Sequence, residues 1–194
     1  MKRVYNETMK KIGNQTTERL LNIIKMQLTF LGTIFVMFII VQYLFYPIQV
    51  DGKSMDPTLH HGDFGFANVF ALKHESLEHF DVVIVKVKDE YWVKRVLALP
   101  GDTISCKENV IYVNQQPIQE NYLDHEYVAQ EIKDHGFFTQ DFDEIRVNEG
   151  EVFLMGDNRY HSLDSRVVGT FQISDLVAKD IYIFWPLNHG KVVK

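Results

Sequence analysis

VVIVKV (Val82–Val87) and WVKRVL (residues 92–97) are the two runs whose reading decides the fold. Both are short and rich in β-branched or aromatic side chains, which suit a pleated strand better than a helix. The second is followed by the turn signal Pro100-Gly101-Asp102. Runs of similar length and character recur at 110–113, 152–155 and 181–185. Asn114-Gln115-Gln116-Pro117, Asn148-Glu149-Gly150 and Gly156-Asp157-Asn158 punctuate them. Many short strands at such spacing predict a mainly β domain. Residues 121–143 are more polar and less periodic, and read as an inserted loop or flap. There are no repeats, no low-complexity tract and no glycine-rich phosphate loop.

Upstream the pattern changes. No charged residue occurs between Lys25 and Asp51, and 28–46 (LTFLGTIFVMFIIVQYLFY) is dominated by apolar side chains. As a helix, 28–46 spans about 28 Å, close to a hydrocarbon core of ~30 Å. Tyr43 and Tyr46 stand where an interfacial aromatic belt lies, and Pro47 supplies a stop. A cleaved leader needs small residues at its cut, which Tyr46-Pro-Ile-Gln-Val-Asp lacks. A buried core helix would carry a polar face, and here Thr29, Thr33 and Gln42 are few and scattered. The reading is therefore a single-pass transmembrane helix over 28–46. Residues 1–27 hold six basic against two acidic side chains, a local +4, leaving −10 of the net −6 on the remainder. The positive-inside rule puts 1–27 in the cytoplasm and 47–194 outside the membrane. So acidic a domain is a poor partner for nucleic acid. With Cys106 the only cysteine, no internal disulfide forms, and the 194-residue chain, 46% hydrophobic, must be held by its core.

Three segments of the outer part carry possible chemistry. Ser54-Met55-Asp56-Pro57-Thr58-Leu59 puts a serine on a tight loop between Gly52 and Pro57. By itself it reads as a surface turn serine, since serine needs an adjacent base to become a nucleophile. In Tyr91–Asp102, strand alternation puts Trp92, Lys94 and Val96 on one face. A lysine flanked by an indole and a β-branched residue loses solvation, which disfavours the ammonium. A fall from ~10.4 to roughly 8 corresponds to about 3 kcal/mol, and leaves an amine able to take a proton near neutral pH. The competing reading is a lysine reaching out from a strand edge. The loop 156–166 (GDNRYHSLDSR) follows an apolar strand and packs acidic, basic and hydroxyl groups together.

In this order and behind a membrane helix, the three segments resemble the bacterial type I signal peptidase family. The shared patterns are Ser-Met-x-Pro-Thr-Leu, Lys-Arg-x-x-x-x-Pro-Gly-Asp and Gly-Asp-Asn-x-x-x-Ser-x-Asp-Ser-Arg. The likeness runs from about residue 28 to Phe184-Trp185-Pro186 and is weakest over 114–148. It implies a signal-peptidase-like mainly β catalytic domain outside the bacterial cell membrane, cleaving signal peptides from secretory preproteins by an acyl-enzyme route. Ser54 falls on the family's nucleophile and Lys94 on its general base. Ser162 matches the serine that orients the lysine, Asp164 and Arg166 a supporting ion pair, and Asp157 and Arg95 lie close by. The Ser54 N–H would be an oxyanion donor. The resemblance implies no cofactor and no metal, and the protein is expected to be a monomer.

Some relatives carry a serine where Gly52 stands, adding a hydroxyl to the oxyanion hole; that donor is missing here. Trp92 stands where tyrosine is common, and Phe80 where glycine precedes aspartate. Residues 48–51 and the strand 81–85 are expected to pair with an extended substrate, with Val50, Met55, Leu59, Trp92 and Val93 lining shallow apolar pockets. Three other classes compete: a self-cleaving repressor, a tethered β-domain that only binds partners, and a metal hydrolase. The first needs a DNA-binding module that is not seen. The third needs a chelating cluster, which the neighbours His60-His61 do not make.

Overall fold

A computed structural model describes residues 2–194, with side chains for 17–41 and 43–194, in two units: Met1–Tyr43 and Leu44–Lys194. The first unit belongs to helix α1 (Lys2–Leu44). Within it Thr17–Val41 has a mean hydropathy of 2.1 and is long and apolar enough to cross a membrane. Its apolar side chains, from Leu20 to Ile40, are exposed. The Thr29 and Thr33 hydroxyls donate to the carbonyls of Lys25 and Thr29, each at 2.9 Å, so these polar groups are satisfied inside the helix.

The helix ends at Leu44. Phe45 and Tyr46, read from the sequence as the end of the apolar segment, instead open strand β1 (Phe45–Gln49). Pro47 lies inside that strand, opposite Phe66. It is tolerated because β1 is an edge strand, where a missing N–H faces no partner.

After β1 come β2 (Phe64–Asn68), the short helix α2 (Val69–His74), β3 (Val82–Val87), β4 (Glu90–Ala98), β5 (Thr103–Lys107), β6 (Val110–Val113) and β7 (Gln116–Pro117). Helix α3 (His125–His135), β8 (Phe142–Arg146), β9 (Glu151–Met155), α4 (Ser165–Val168), β10 (Phe171–Gln172), β11 (Leu176–Trp185) and β12 (Lys191–Val193) complete the unit. An eight-stranded sheet runs β1-β2-β11-β3-β4-β9-β10, with β12 added to β11; a four-stranded sheet runs β7-β6-β5-β8. All their pairings are antiparallel.

The run VVIV of β3 is buried on both faces, as a strand in mid-sheet requires. Val82 and Ile84 join a core with Met55, Leu59 and Ile181, while Val83 and Val85 pack with Val96 and Leu154 on the other face. A third core, built on Leu97, Ile104, Ile111 and Phe153, draws on both sheets. β5 and β6 are joined through Glu108 and Asn109, both with positive φ, the two-residue turn that suits twisted hairpins. Within 121–143, read as a loop, α3 forms instead: the Asp124 carboxylate accepts from the Tyr127 N–H, and Gly136 ends the helix in the left-handed region.

Candidate active site

β4 carries two adjacent cations to opposite faces. Lys94 and Arg95 are 3% and 2% exposed, so neither is a strand-edge lysine or arginine reaching for water. Lys94 Nζ stands 2.8 Å from Ser54 Oγ, across forty residues of sequence. Burial pushes the Lys94 ammonium down to about 8, against the pull of Asp164; Arg166 adds to the fall and Asp157 opposes it. Nζ also lies 5.7 Å from the centre of the Trp92 ring.

On the opposite face Arg95 makes a two-pronged pair with Asp157, Nε to Oδ1 at 2.9 Å and Nη2 to Oδ2 at 2.7 Å. Its Nη1 donates to the Phe80 carbonyl at 2.8 Å, and its guanidinium lies 3.9 Å from the Tyr122 ring centre. Every face of this buried charge therefore has a partner, the condition under which a buried ion pair is tolerated.

The loop after β9 wraps the serine. The Asn158 N–H donates to the Ser54 carbonyl at 3.0 Å. Gly156 is there because nothing larger fits: a Cβ would lie 2.4 Å from the Ser54 carbonyl oxygen and 2.3 Å from Ser162 Oγ. Asp164 accepts from the Gly156 N–H at 3.0 Å and from Arg166 Nε and Nη2, both at 2.8 Å. Burial works against the Asp164 carboxylate, yet Arg166 and the Gly156 N–H hold it below its ordinary value. Arg159, which the sequence reading passed over, locks the same loop. It donates to the Gly156 carbonyl, to Thr139 and to Tyr122, and pairs with Glu120. An arginine in a loop gives no sequence sign of being buried; its partners outside the loop, Thr139, Tyr122 and Glu120, are twenty or more residues away.

Ser54, Lys94, Asp157, Asp164, Arg95 and Arg166 thus converge. Ser162 differs: its hydroxyl is buried beside Asp164, whose carboxylate it helps to hold down, and it makes no hydrogen bond to Lys94. Val50, Met55, Trp92 and Val93 line a groove of ≈ 580 Å³ that runs past Ser54 and Lys94, with His161 and Leu163 on its wall. Leu59 is not among them; it is fully buried in the core beneath. Nor can 81–85 receive an added strand, because β3 is paired to β11 on one side and β4 on the other. The free edge is the first half of β4, since β9 pairs with β4 only from Arg95 onward. Among the described residues no group of three or more His, Cys, Asp or Glu side chains is arranged to hold a metal ion.

The family described as signal peptidase, peptidase S26, matches residues 23–185. Signal peptidase I of Bacillus amyloliquefaciens is 34% identical over 154 residues, 78% of this chain and 82% of that protein. Signal peptidase I of Bacillus caldolyticus is 37% identical over 153 residues, covering 75% and 82%. A crystal structure of a signal peptidase I from Enterococcus faecalis V583 superposes with a TM-score of 0.50 at 26% identity, over 54% of this chain and 97% of that one. The mainly β unit that carries Ser54 and Lys94 is a signal-peptidase-like fold, and the chain belongs to the signal peptidase family, peptidase S26.

Proposed function

We propose that this chain is a membrane-anchored signal peptidase I that removes signal peptides from secretory preproteins, with Ser54 as nucleophile and Lys94 as general base. The observation that carries the reading is the 2.8 Å approach of a buried lysine amine to a serine hydroxyl on the wall of an open groove. Neutral Nζ takes the Ser54 proton as Oγ attacks the scissile carbonyl. The negative charge on the carbonyl oxygen is met by the Ser54 N–H, which makes no hydrogen bond among the described residues. The Lys94 ammonium then gives its proton to the departing amine, leaving the signal peptide esterified to Oγ. Neutral again, Nζ draws a proton from water, whose oxygen attacks the ester; collapse frees the peptide acid and restores Ser54 O–H.

The substrate would lie extended along the free edge of β4, opposite residues 49–52, and its side chains would alternate into the groove. Val50, Trp92 and Val93 would line shallow apolar subsites there that select small residues. Asp157, Asp164, Arg95 and Arg166 support the site and touch no substrate. The membrane topology belongs to the same proposal: 1–27 cytoplasmic, the apolar part of α1 in the bilayer, 47–194 outside.

Purified full-length protein in detergent, given a model precursor, should release the signal peptide at one bond. Ser54→Ala and Lys94→Ala should each lower the rate by more than about 10³-fold with the fold intact. The wild-type rate should climb with pH through about 8 as Lys94 sheds its proton. Normal processing by either variant, or a flat profile from pH 6 to 10, would sink the assignment.

A further inference from the structure

Two arginines are buried behind the dyad, each 2% exposed. Arg95 stands on β4 beside Lys94, and Arg159 on the loop after β9 that wraps Ser54. Each has its own carboxylate, Asp157 for Arg95 and Glu120 for Arg159. Tyr122 touches both cations. Its ring centre lies 3.9 Å from the Arg95 guanidinium carbon, and its hydroxyl accepts from Arg159 Nη2 at 3.0 Å while donating to Glu120 Oε1. A phenol hydroxyl can do both at once. Burial pushes this phenol above its ordinary value, against the pull of Arg159, so it keeps its proton and goes on donating. The Phe80 ring packs on it, centroids 5.4 Å apart, and the Phe80 carbonyl takes Arg95 Nη1.

The β4–β9 ladder reaches Met155. Past it the loop is tied to the framework behind it by side chains: Asp157 to Arg95, and Arg159 to Glu120, Tyr122 and Thr139. Arg159 Nε also donates to the Gly156 carbonyl at 3.0 Å, and Gly156 and Asn158 both abut the Ser54 carbonyl. One line of contacts therefore runs from Tyr122 through Arg159 and Gly156 to Ser54. A second runs from Tyr122 to Arg95, whose neighbour on the strand is Lys94. Glu120, Tyr122 and Thr139 come from 114–148, where the sequence likeness to the family is weakest, so no motif marks them.

We propose that Tyr122, held by Glu120, is a positioning residue for the dyad: it couples the strand that carries Lys94 to the loop that holds Ser54, and so fixes base against nucleophile. The inference rests on Ser54 and Lys94 being the protease dyad. Tyr122 does not line the groove, so its loss falls on kcat and spares KM. Removing its hydroxyl also changes none of the charges that face Lys94, which are Asp164, Arg166 and Asp157. A loosened loop would let water reach the amine, and a better solvated ammonium gives up its proton at higher pH.

The test uses full-length protein in detergent and one short peptide cut at one bond, with kcat counted per site titrated by a serine-acylating compound. Tyr122→Phe keeps the ring on Arg95 and removes only the hydroxyl. Its kcat should fall roughly tenfold with KM held within about twofold. The midpoint of its rate against pH should rise by about half a unit from the wild-type value of about 8. Glu120→Gln weakens the hold on the same hydroxyl and should lower kcat to a similar degree. The double variant should be little worse than either alone, because both act through one contact. Ile111→Val, in the core that draws on both sheets, should lower the melting temperature and leave kcat per site unchanged. The proposal is overturned if Tyr122→Phe and Glu120→Gln behave as Ile111→Val does, melting earlier while keeping kcat per site and the pH midpoint. Fully multiplied losses in the double variant overturn it too, since the two residues would then act separately. Failure of the protease reading is distinct: the wild type would not cut the peptide, or Ser54→Ala would cut it as well as wild type.

Discussion

Lys94 is a costly residue to bury. Its ammonium is held down to about 8 from 10.5, so below pH 8 the folded and unfolded chains are both protonated there and the folded state bears the full penalty, about 3 kcal/mol. Between 8 and 10.5 the folded state loses its proton first, and stability rises with pH. Above 10.5 the penalty is gone. Lys94→Met should therefore raise the unfolding free energy at pH 7 by about 1–3 kcal/mol while abolishing activity. Urea titrations at pH 7 and pH 10.5 check both parts: the gain should be present at the first and largely lost at the second. The identity of this residue was readable from its motif, and its burial from the alternation of Trp92, Lys94 and Val96. Its pairing with Ser54 came from the family resemblance of the two motifs and not from periodicity. A forty-residue separation alone does not tell which serine a strand lysine will meet, and Ser162, which the resemblance set to orient the lysine, makes no hydrogen bond to it.

Elements were legible where burial imposed a pattern. β3 was marked by consecutive β-branched residues, because a strand covered on both faces has no room for a polar one. β1 was hidden, because FYPIQ continues the apolar composition of α1 and hydropathy does not separate a membrane helix from an edge strand. α3 was hidden for the opposite reason: none of its residues is buried, so no apolar stripe announces it, and only its end signals, Asp124 and Gly136, were available. The loop 156–166 was legible as a motif, while its tightness was not. Gly156→Ala tests that tightness. The new Cβ would meet backbone at the Ser54 carbonyl, which has no rotamer by which to yield. The serine should shift by several tenths of an ångström, and kcat should fall by about 10²-fold or more, since reacting groups tolerate little displacement. Single-turnover kinetics on a short peptide give the measurement; a kcat within threefold of wild type would contradict the packing argument.

At the scale of the molecule, the apolar helix and the proposed active site fall in separate units, Met1–Tyr43 and Leu44–Lys194. The dyad, its ion pairs and the groove all lie in the second. A chain starting at Leu44 should therefore cleave short soluble peptides within about threefold of the full-length rate. On precursors embedded in lipid vesicles it should be slower by about tenfold or more, because the anchor concentrates enzyme and substrate in one bilayer. Comparing the two rate ratios isolates what the helix contributes. The site is also assembled from distant parts of the chain: forty residues separate Ser54 from Lys94, and sixty-two separate Arg95 from Asp157. A protease is a hazard to its own nascent copies, and a site assembled from such distant parts is complete only when they have come together. Until β9 and the loop behind it have docked on β4, Lys94 is in water, fully charged and unable to act as a base. A partly folded chain would therefore lack the neutral amine that the proposed mechanism needs.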